Sequence, residues 1–388
     1  MNNRQMLRYS LAMIALSGGA GAAWLLSLPP GRKSRIAPPI KQAEKDAMIA
    51  ALRPPKRSCP LIAILGANDG SETTDYLMPY GILRRAGVAD VIALGMMPGP
   101  IRLYPALKVL PQATVAHFDA RHPEGADYVI VPAMRRDDDP AILGWIKRQS
   151  SKGATIIGVC AGAKVVANAG LLDGRWATTH WYYLDTMRAR HPAIHYIPDR
   201  RLVVDRGVVT TTGITASMPL SLTLIEAIAG RELASAIAEN LGVMDWDARH
   251  DSSTFQFTRP FALTAICNRL SFWKHEWLGL MLEADTDEVS LALLADAWSR
   301  TYHSSVVTLA SAAGALPTRH GILVLPDRAL VDWPGKQRVM LVARQKPAQV
   351  LDEALLTIAA RYGERTADFV AMQLEYSRES PQSWANEI

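Results

Sequence analysis

The chain has 388 residues, 49% apolar and 20% charged, which leaves room for two domains and excludes wholesale disorder. Its net charge of +5 is not evenly spread: residues 1–57 hold ten Lys/Arg against Glu44 and Asp46, a balance of +8, and the remainder carries 32 basic and 35 acidic residues, or −3. Basicity confined to one end gives no electrostatic support to a DNA-binding body, so no nucleic-acid partner is expected.

Arg4 and Arg8 precede Tyr9 to Pro30, a stretch without a charged residue, and Arg32, Lys33 and Arg35 follow it. An uncharged apolar run of ~18 residues or more can span a bilayer. Residues 1–30 are therefore expected to be a membrane anchor or signal segment, the anchor forming an N-terminal transmembrane helix. Ala20-Gly21-Ala22 offers a small-x-small cleavage site, but Trp24-Leu25-Leu26 carries the apolar run past it and favours an uncleaved helix. With Arg4 and Arg8 inside, the body would hang from the inner membrane into the periplasm; a cytoplasm-facing body is the alternative. Residues 31–58, with Pro38-Pro39 and Pro54-Pro55, read as a linker holding one short helix from Lys41 to Leu52.

Leu61 to Gly66 opens an alternation of short apolar strands and amphipathic helices. A helix from Tyr76 to Ala86 follows, then strands at Asp90 to Gly95 and Asp127 to Val131, a helix near Pro140 to Ser150, and the apolar run Ala154-Thr155-Ile156-Ile157. This order predicts a parallel sheet covered on both faces, whose ligands gather at the carboxyl ends of its strands. Directly after the last of these runs stands Gly158-Val159-Cys160-Ala161-Gly162, followed by a helix-like stretch from Ala161 to Leu171. Small residues on both sides of the cysteine are what a sharp strand-to-helix turn requires. Such an elbow exposes its central side chain to the helix amino terminus, which favours a thiolate, and the backbone N–H of Ala161 is placed to contact an oxyanion. The plainer reading of Cys160 is a small buried hydrophobe.

Downstream of the elbow the chain runs Ala169-Gly170-Leu171-Leu172-Asp173-Gly174-Arg175-Trp176-Ala177-Thr178-Thr179-His180-Trp181. With the elbow, this stretch resembles the ThiJ/PfpI family of the class I glutamine amidotransferase-like superfamily, and within it the sensor half of AraC-type transcription regulators. The resemblance covers about residues 61 to 230. It implies a flavodoxin-like α/β sandwich with a nucleophile elbow over residues 59–230, no cofactor, and a small-molecule substrate or ligand. It also implies a carboxylate that hydrogen-bonds the elbow cysteine, four residues before a proline that opens a helix; the match is Asp75, with Pro79. A helix N-cap is the alternative role for Asp75. Proximity of His180 to Cys160 is implied as well, with His180 as assisting base or ion-pair partner. A satisfied histidine beside Trp181 and Tyr182 is the alternative. Two departures stand out. Met218-Pro219 replaces the acidic residue with which relatives open their last helix, which argues against a Cys-His-acid triad. Lys164 replaces a usually apolar residue one turn past the elbow, where it either contacts an anion or snorkels to solvent.

Arg201 to Asp205 and Gly207 to Thr211 read as a hairpin and Pro219 to Ala229 as the closing helix. Residues 231–284 form a connector that includes a packing helix from Thr264 to Leu282; its tryptophans and histidines show no metal-ligand spacing. Beyond it, residues 285–388 carry a partial repeat. Val91-Ile92-Ala93-Leu94 precedes Val109-Leu110-Pro111-Gln112 by eighteen positions, and Val306-Val307-Thr308-Leu309 precedes Val324-Leu325-Pro326-Asp327 by the same interval. Gly125 to Ala133 is likewise echoed by Gly335 to Ala343. The copy, ending in helices at Ala348 to Tyr362 and Glu364 to Tyr376, has Ser290 where the first half has Asp75 and no second elbow, so an intramolecular pseudo-dimer with one live site is expected, with a homodimer as alternative. No AraC-type helix-turn-helix is read in the chain. Three cysteines make no disulfide framework; Cys59 and Cys267 read as structural, with a bridge between them open.

Two classes of function remain. One is a cysteine hydrolase or hydratase acting on a small amide, nitrile-like or carbonyl substrate, with Cys160 as nucleophile, Asp75 as proton partner and His180 assisting. The other is a non-catalytic ligand or redox sensor.

Overall fold

Short aliphatic runs bounded by glycine and polar turns become the strands of a largely parallel sheet. The computed structural model describes residues 21–31, 37–312, 314–335, 339–342 and 345–378. In chain order the first half comprises β1 (Leu61–Gly66), α1 (Thr73–Ala86), β2 (Asp90–Gly95), β3 (Ile101–Tyr104), β4 (Lys108–Leu110), β5 (Ala113–Thr114), β6 (Tyr128–Val131), α2 (Pro140–Ser151), β7 (Thr155–Gly158), α3 (Gly162–Asn168), β8 (Leu202–Asp205), β9 (Val208–Thr211) and α4 (Ser217–Ala229). The seven-stranded sheet runs β8-β9-β7-β6-β1-β2-β5, parallel throughout except for the β8–β9 hairpin. β1, β6 and β7 are buried along their whole length, as central strands covered on both faces must be. This is a flavodoxin-like α/β fold.

The second half follows α5 (Arg231–Leu241) and α6 (Arg259–Leu270). It comprises β10 (Glu276–Met281), α7 (Glu288–Ser299), β11 (Ser304–Ala310), β12 (Leu316–Pro317), β13 (Leu323–Val324), β14 (Arg328–Ala329), β15 (Val339–Leu341), α8 (Pro347–Tyr362) and α9 (Glu364–Leu374). Its sheet runs β14-β11-β10-β15, parallel at every pairing. A third sheet stitches the halves together, because β13 pairs antiparallel with β4. The halves also share a core: Leu77 and Tyr80 of α1 lie in one cluster with Leu291, Ala295 and Trp298 of α7.

Several expectations need correction. The anticipated helix from Thr264 to Leu282 is broken. It stops at Leu270, where the Ser271 N–H and hydroxyl both donate to the carbonyl of Cys267, and Glu276–Met281 is instead the central strand β10. Pairing on both sides with β11 and β15 overrides the local helical pattern. Cys59 and Cys267 are both free and exposed, so no bridge joins them. Part of the echo at Gly335 to Ala343 lies outside the described residues.

The membrane-anchored, periplasm-facing localisation is overturned: no helix among the described residues is long and apolar enough to cross a membrane. Residues 9–20 of the uncharged stretch lie outside the described residues. Its described end is helical at 21–27 and packs onto the body. The Arg259 guanidinium donates to the carbonyls of Leu25, Leu26 and Leu28, and Trp24 lies 6.1 Å from the ring of Phe257. A cation on the terminal carbonyls is a favourable helix ending.

Candidate functional site

Two strand ends build the site. β7 passes into α3 through Cys160, whose φ of 56° puts a non-glycine residue in the left-handed region. Both flanking glycines are sterically required. A β-carbon on Gly158 would lie 2.9 Å from the backbone of Ala163, and one on Gly162 would overlap the carbonyl oxygen of Val131. The strained turn is pinned from outside. The Cys160 N–H donates to Thr211 Oγ1 at 3.0 Å, and Thr179 Oγ1 donates to the Cys160 carbonyl at 3.1 Å. Thr179 belongs to the motif preceding His180; Thr211 carried no sequence signal, because its role depends on β9 lying beside β7.

Asp75 comes from the first turn of α1, beyond β1. It is not the N-cap of that helix: Glu72 is, its Oε2 accepting from the Asp75 N–H at 2.7 Å and from Thr74 Oγ1 at 2.7 Å. Nor does Pro79 open the helix; it lies inside it and lacks the N–H that would bond back to the Asp75 carbonyl. The Asp75 carboxyl is fully buried. Its Oδ2 accepts from the Ala133 N–H at 3.0 Å, whereas Oδ1 has no hydrogen-bond partner among the described residues. Burial first, then the neighbouring Glu72, push Asp75 well above the usual carboxylate range.

Cys160 is 4% exposed. Burial pushes its thiol up, Asp75 and Glu72 add to the effect, and the Ala161 N–H opposes it. The direction is opposite to that of a lone thiolate stabilised by a helix end. Tyr104 and Tyr183 are also raised, first by burial; Glu72, Asp75 and Cys160 act on Tyr104, and Cys160 acts on Tyr183. Neither tyrosine was singled out in the sequence, since Tyr104 depends on the β3–β4 hairpin and Tyr183 on the turn after His180.

His180 follows Thr179, which is bonded to the elbow, and its own nitrogens are engaged elsewhere. Nδ1 accepts from the Tyr182 N–H at 3.1 Å, and Nε2 donates to the carbonyl of Gln373 at 3.0 Å. Burial pushes the ring down to about 4, keeping it neutral. Asp75 acts on Cys160 electrostatically, but among the described residues the expected hydrogen bond between its carboxyl and the Cys160 sulfur is not formed, and His180 is bonded to the second half of the chain. Lys164 neither reaches into the site nor snorkels free: Nζ pairs with Asp137 at 2.5 Å and lies 4.4 Å from the centre of the Tyr183 ring. Among the described residues no group of three His, Cys, Asp or Glu is placed to hold a metal ion.

The second half closes over the same region. Arg300, at the end of α7, donates through Nη2 to Glu72 Oε1 and through Nε to Asp296 Oδ1, both at 2.8 Å. Past α9, the Glu375 carboxylate accepts from the N–H groups of Gly213 and Trp181, and Thr215 Oγ1 donates to its carbonyl. His250 Nε2 stands 3.8 Å from Glu375, but burial holds that ring down to about 3, so the contact is not an ion pair.

Residues 61–227 match the model of the DJ-1/PfpI family. The chain is similar to the HTH-type transcriptional regulator CdhR of Pseudomonas aeruginosa, 31% identical over 125 residues that make up 32% of this chain and 37% of the regulator. It is similar to isonitrile hydratase of Pseudomonas putida, 36% identical over 101 residues, 26% of this chain and 42% of the hydratase. The Parkinson disease protein 7 homolog of Danio rerio is 27% identical over 182 residues, 45% of this chain and 94% of that protein. The chain thus spans well under half of the regulator and of the hydratase.

Proposed function

Residues 61–227 are a DJ-1/PfpI-family domain, and from that premise we propose that the chain is a cysteine-dependent enzyme of hydratase type acting on a small nitrile-like, amide or carbonyl substrate. The observation that carries the reading is the unpartnered Oδ1 of Asp75, fully buried in the surroundings of Cys160, where no His180 nitrogen is left to act as base. Burial raises both groups, so the surroundings disfavour two negative charges on Cys160 and Asp75. In the attack, the Cys160 sulfur bonds to the electrophilic carbon as the thiol gives up its proton to Asp75, which delivers a proton to the substrate. The Ala161 N–H faces the sulfur and the charge developing beside it. With a nitrile or isonitrile, water then adds to the covalent adduct, the C–S bond breaks, and the pair regains its proton; an amide first loses its protonated amine as the C–N bond breaks, and water hydrolyses the resulting thioester. The similarity to isonitrile hydratase supports including isonitriles among the substrates.

The test is turnover of a panel of small isonitriles, nitriles, amides and aldehydes. Loss of roughly 10²-fold or more is expected in both Cys160→Ser and Asp75→Asn. Turnover that persists in Cys160→Ser removes the nucleophile and with it this reading. A ligand or redox sensor is the second reading, favoured by the 4% exposure of Cys160 and by the similarity to the regulator; stoichiometric modification of Cys160 without turnover of any panel member would support it.

Residues 276–341 are further proposed to be an internal copy of the first half without its thiol, making the chain an intramolecular pseudo-dimer. Several features support this. β10, β12 and β14 begin 215 positions after β1, β3 and β5. Strand order β5-β2-β1-β6 in one sheet corresponds to β14-β11-β10-β15 in the other. Gln112 bonds both backbone groups of Ala93, and Asp327, 215 positions later, does the same to Thr308.

A further inference from the structure

Each half sends an arginine from the end of one helix to the carboxylate that caps the start of the other. Arg85 of α1 donates to Asp287, whose Oδ1 accepts from the N–H groups of Val289 and Ser290. Arg300 at the end of α7 donates to Glu72, whose other oxygen accepts from the Asp75 N–H. The two arms have the same architecture but different company. Beside Asp287 the position of Asp75 is taken by Ser290, with its hydroxyl unpartnered; beside Glu72 stand Asp75 and the elbow cysteine.

We infer that Arg300, supplied by the second half, is a positioning residue for the candidate site, fixing Glu72 and through it the first turn of α1 that presents Asp75 to Cys160. The inference rests on the reading of Cys160 as a reactive thiol. The arm is built for rigidity. The Arg300 fork is divided between Glu72 and Asp296, and its carbonyl accepts from Gln373 Nε2 at 3.1 Å, which ties α9 to the same point. The side chains of Glu72 and Asp296 are 3% and 0% exposed and that of Arg300 17%, so the cation is not interchangeable with solvent. Without it, Glu72 would be left buried beside Asp75 with no cation. Asp75, Glu72 and Glu375 act on Cys160, and Cys160 acts in turn on Tyr104, Tyr183 and Arg300. Arg300 is the cation of this set. Removing it leaves the carboxylates uncompensated and makes the thiolate harder to form.

The experiment is the pH profile of iodoacetamide labelling at Cys160, read on its own peptide in the full chain. Cys59 and Cys267 are changed to serine, because both are free and exposed. Arg300→Met is expected to slow labelling at a fixed pH by about tenfold, an upward shift of about one unit. Arg300→Lys, which keeps the charge but cannot divide a fork, is expected to fall between it and the parent. Arg85→Met removes the equivalent arm and is expected to leave the profile at the parent position, which separates positioning from a general loss of contacts between the halves. Folded Arg300→Met and Arg85→Met proteins with superimposable profiles would overturn the inference. Should Arg300→Met not fold, an unshifted Arg300→Lys profile overturns it equally. Absence of Cys160 labelling in the parent at every pH would instead fail the reactive-thiol reading, and this inference with it.

Discussion

Gly162 has no room for a β-carbon, because the backbone carbonyl of Val131 occupies the position and cannot rotate away. Gly162→Ala is expected to cost about 3 kcal/mol or more. Gly174, at φ 63° with nothing within 4 Å, supplies the contrast: alanine there meets only backbone strain, about 1–2 kcal/mol. Urea unfolding of the two variants measures the difference, and equal losses would mean that the elbow relaxes. His180 calls for a different measurement. His180→Ala strands a buried carbonyl and N–H, at a cost of about 1–3 kcal/mol. Labelling of Cys160 should stay within about twofold of the parent, whereas loss of a general base is worth ~10² or more. A hundredfold loss would restore His180 as the base. The side chains named from the sequence divide on the same physical line. Cys160 and Ala161 lie at the end of their own strand, so local pattern locates them, whereas Asp75, nine residues past β1, is indicated only by the family resemblance. The partners of His180 are backbone groups of Tyr182 and of Gln373, 193 residues away, and no local pattern specifies the second.

At the scale of elements, α1 and α7 pack closely because Gly81 carries no side chain. A β-carbon there would overlap Glu288 and come within 2.8 Å of Val289 Cγ2. Gly81→Leu should therefore wedge the helices apart, lowering stability by about 3 kcal/mol or more and opening the connector around α6 to protease. Limited proteolysis beside a denaturation curve checks both; a stable, protease-resistant variant would mean that the helices can slide. Strands β1 and β2 were legible to the residue, since a continuous apolar run ended by glycine has few other uses. The hairpins β3–β4 and β12–β13 were not read. Their few residues owe their form to pairing across the molecule, as Leu323 with Leu110 and Val324 with Val109 show. β10 was hidden for a related reason: its apolar residues suit a helix face equally well, and only its neighbours choose the strand.

For the molecule as a whole, the docked second half leaves a pH signature. Burial pushes the Glu375 carboxyl up to about 8, against roughly 4.3 in an unfolded chain. Between those values the folded protein holds a proton that the unfolded one gives up, so this stability is present at low pH and lost as pH rises toward about 8. His180 and His250, held down to about 4 and about 3, act in the opposite sense and cost stability as pH falls below roughly 6.5. Above that point only the buried carboxyls matter. The melting temperature should fall between roughly pH 6.5 and 8.5 and fall less steeply in Glu375→Gln, as thermal unfolding followed by circular dichroism would record. An unchanged slope in the variant would mean that Glu375 is ionised in the fold. Because α7 covers α1 within one chain, sedimentation should give a monomer; a stable dimer would mean that another face pairs.

The sequence by itself determined the parallel α/β scaffold, the elbow and the identity of its thiol, because each is written in residues adjacent along the chain: apolar runs, paired glycines, a turn. Tertiary structure decided the rest. It made Glu72 rather than Asp75 the helix cap, tied His180 to a distant carbonyl and joined Lys164 to Asp137. It also set Arg300 against the site from the far half. These choices depend on which groups burial leaves without water, and a buried polar group takes whatever partner the fold brings within reach.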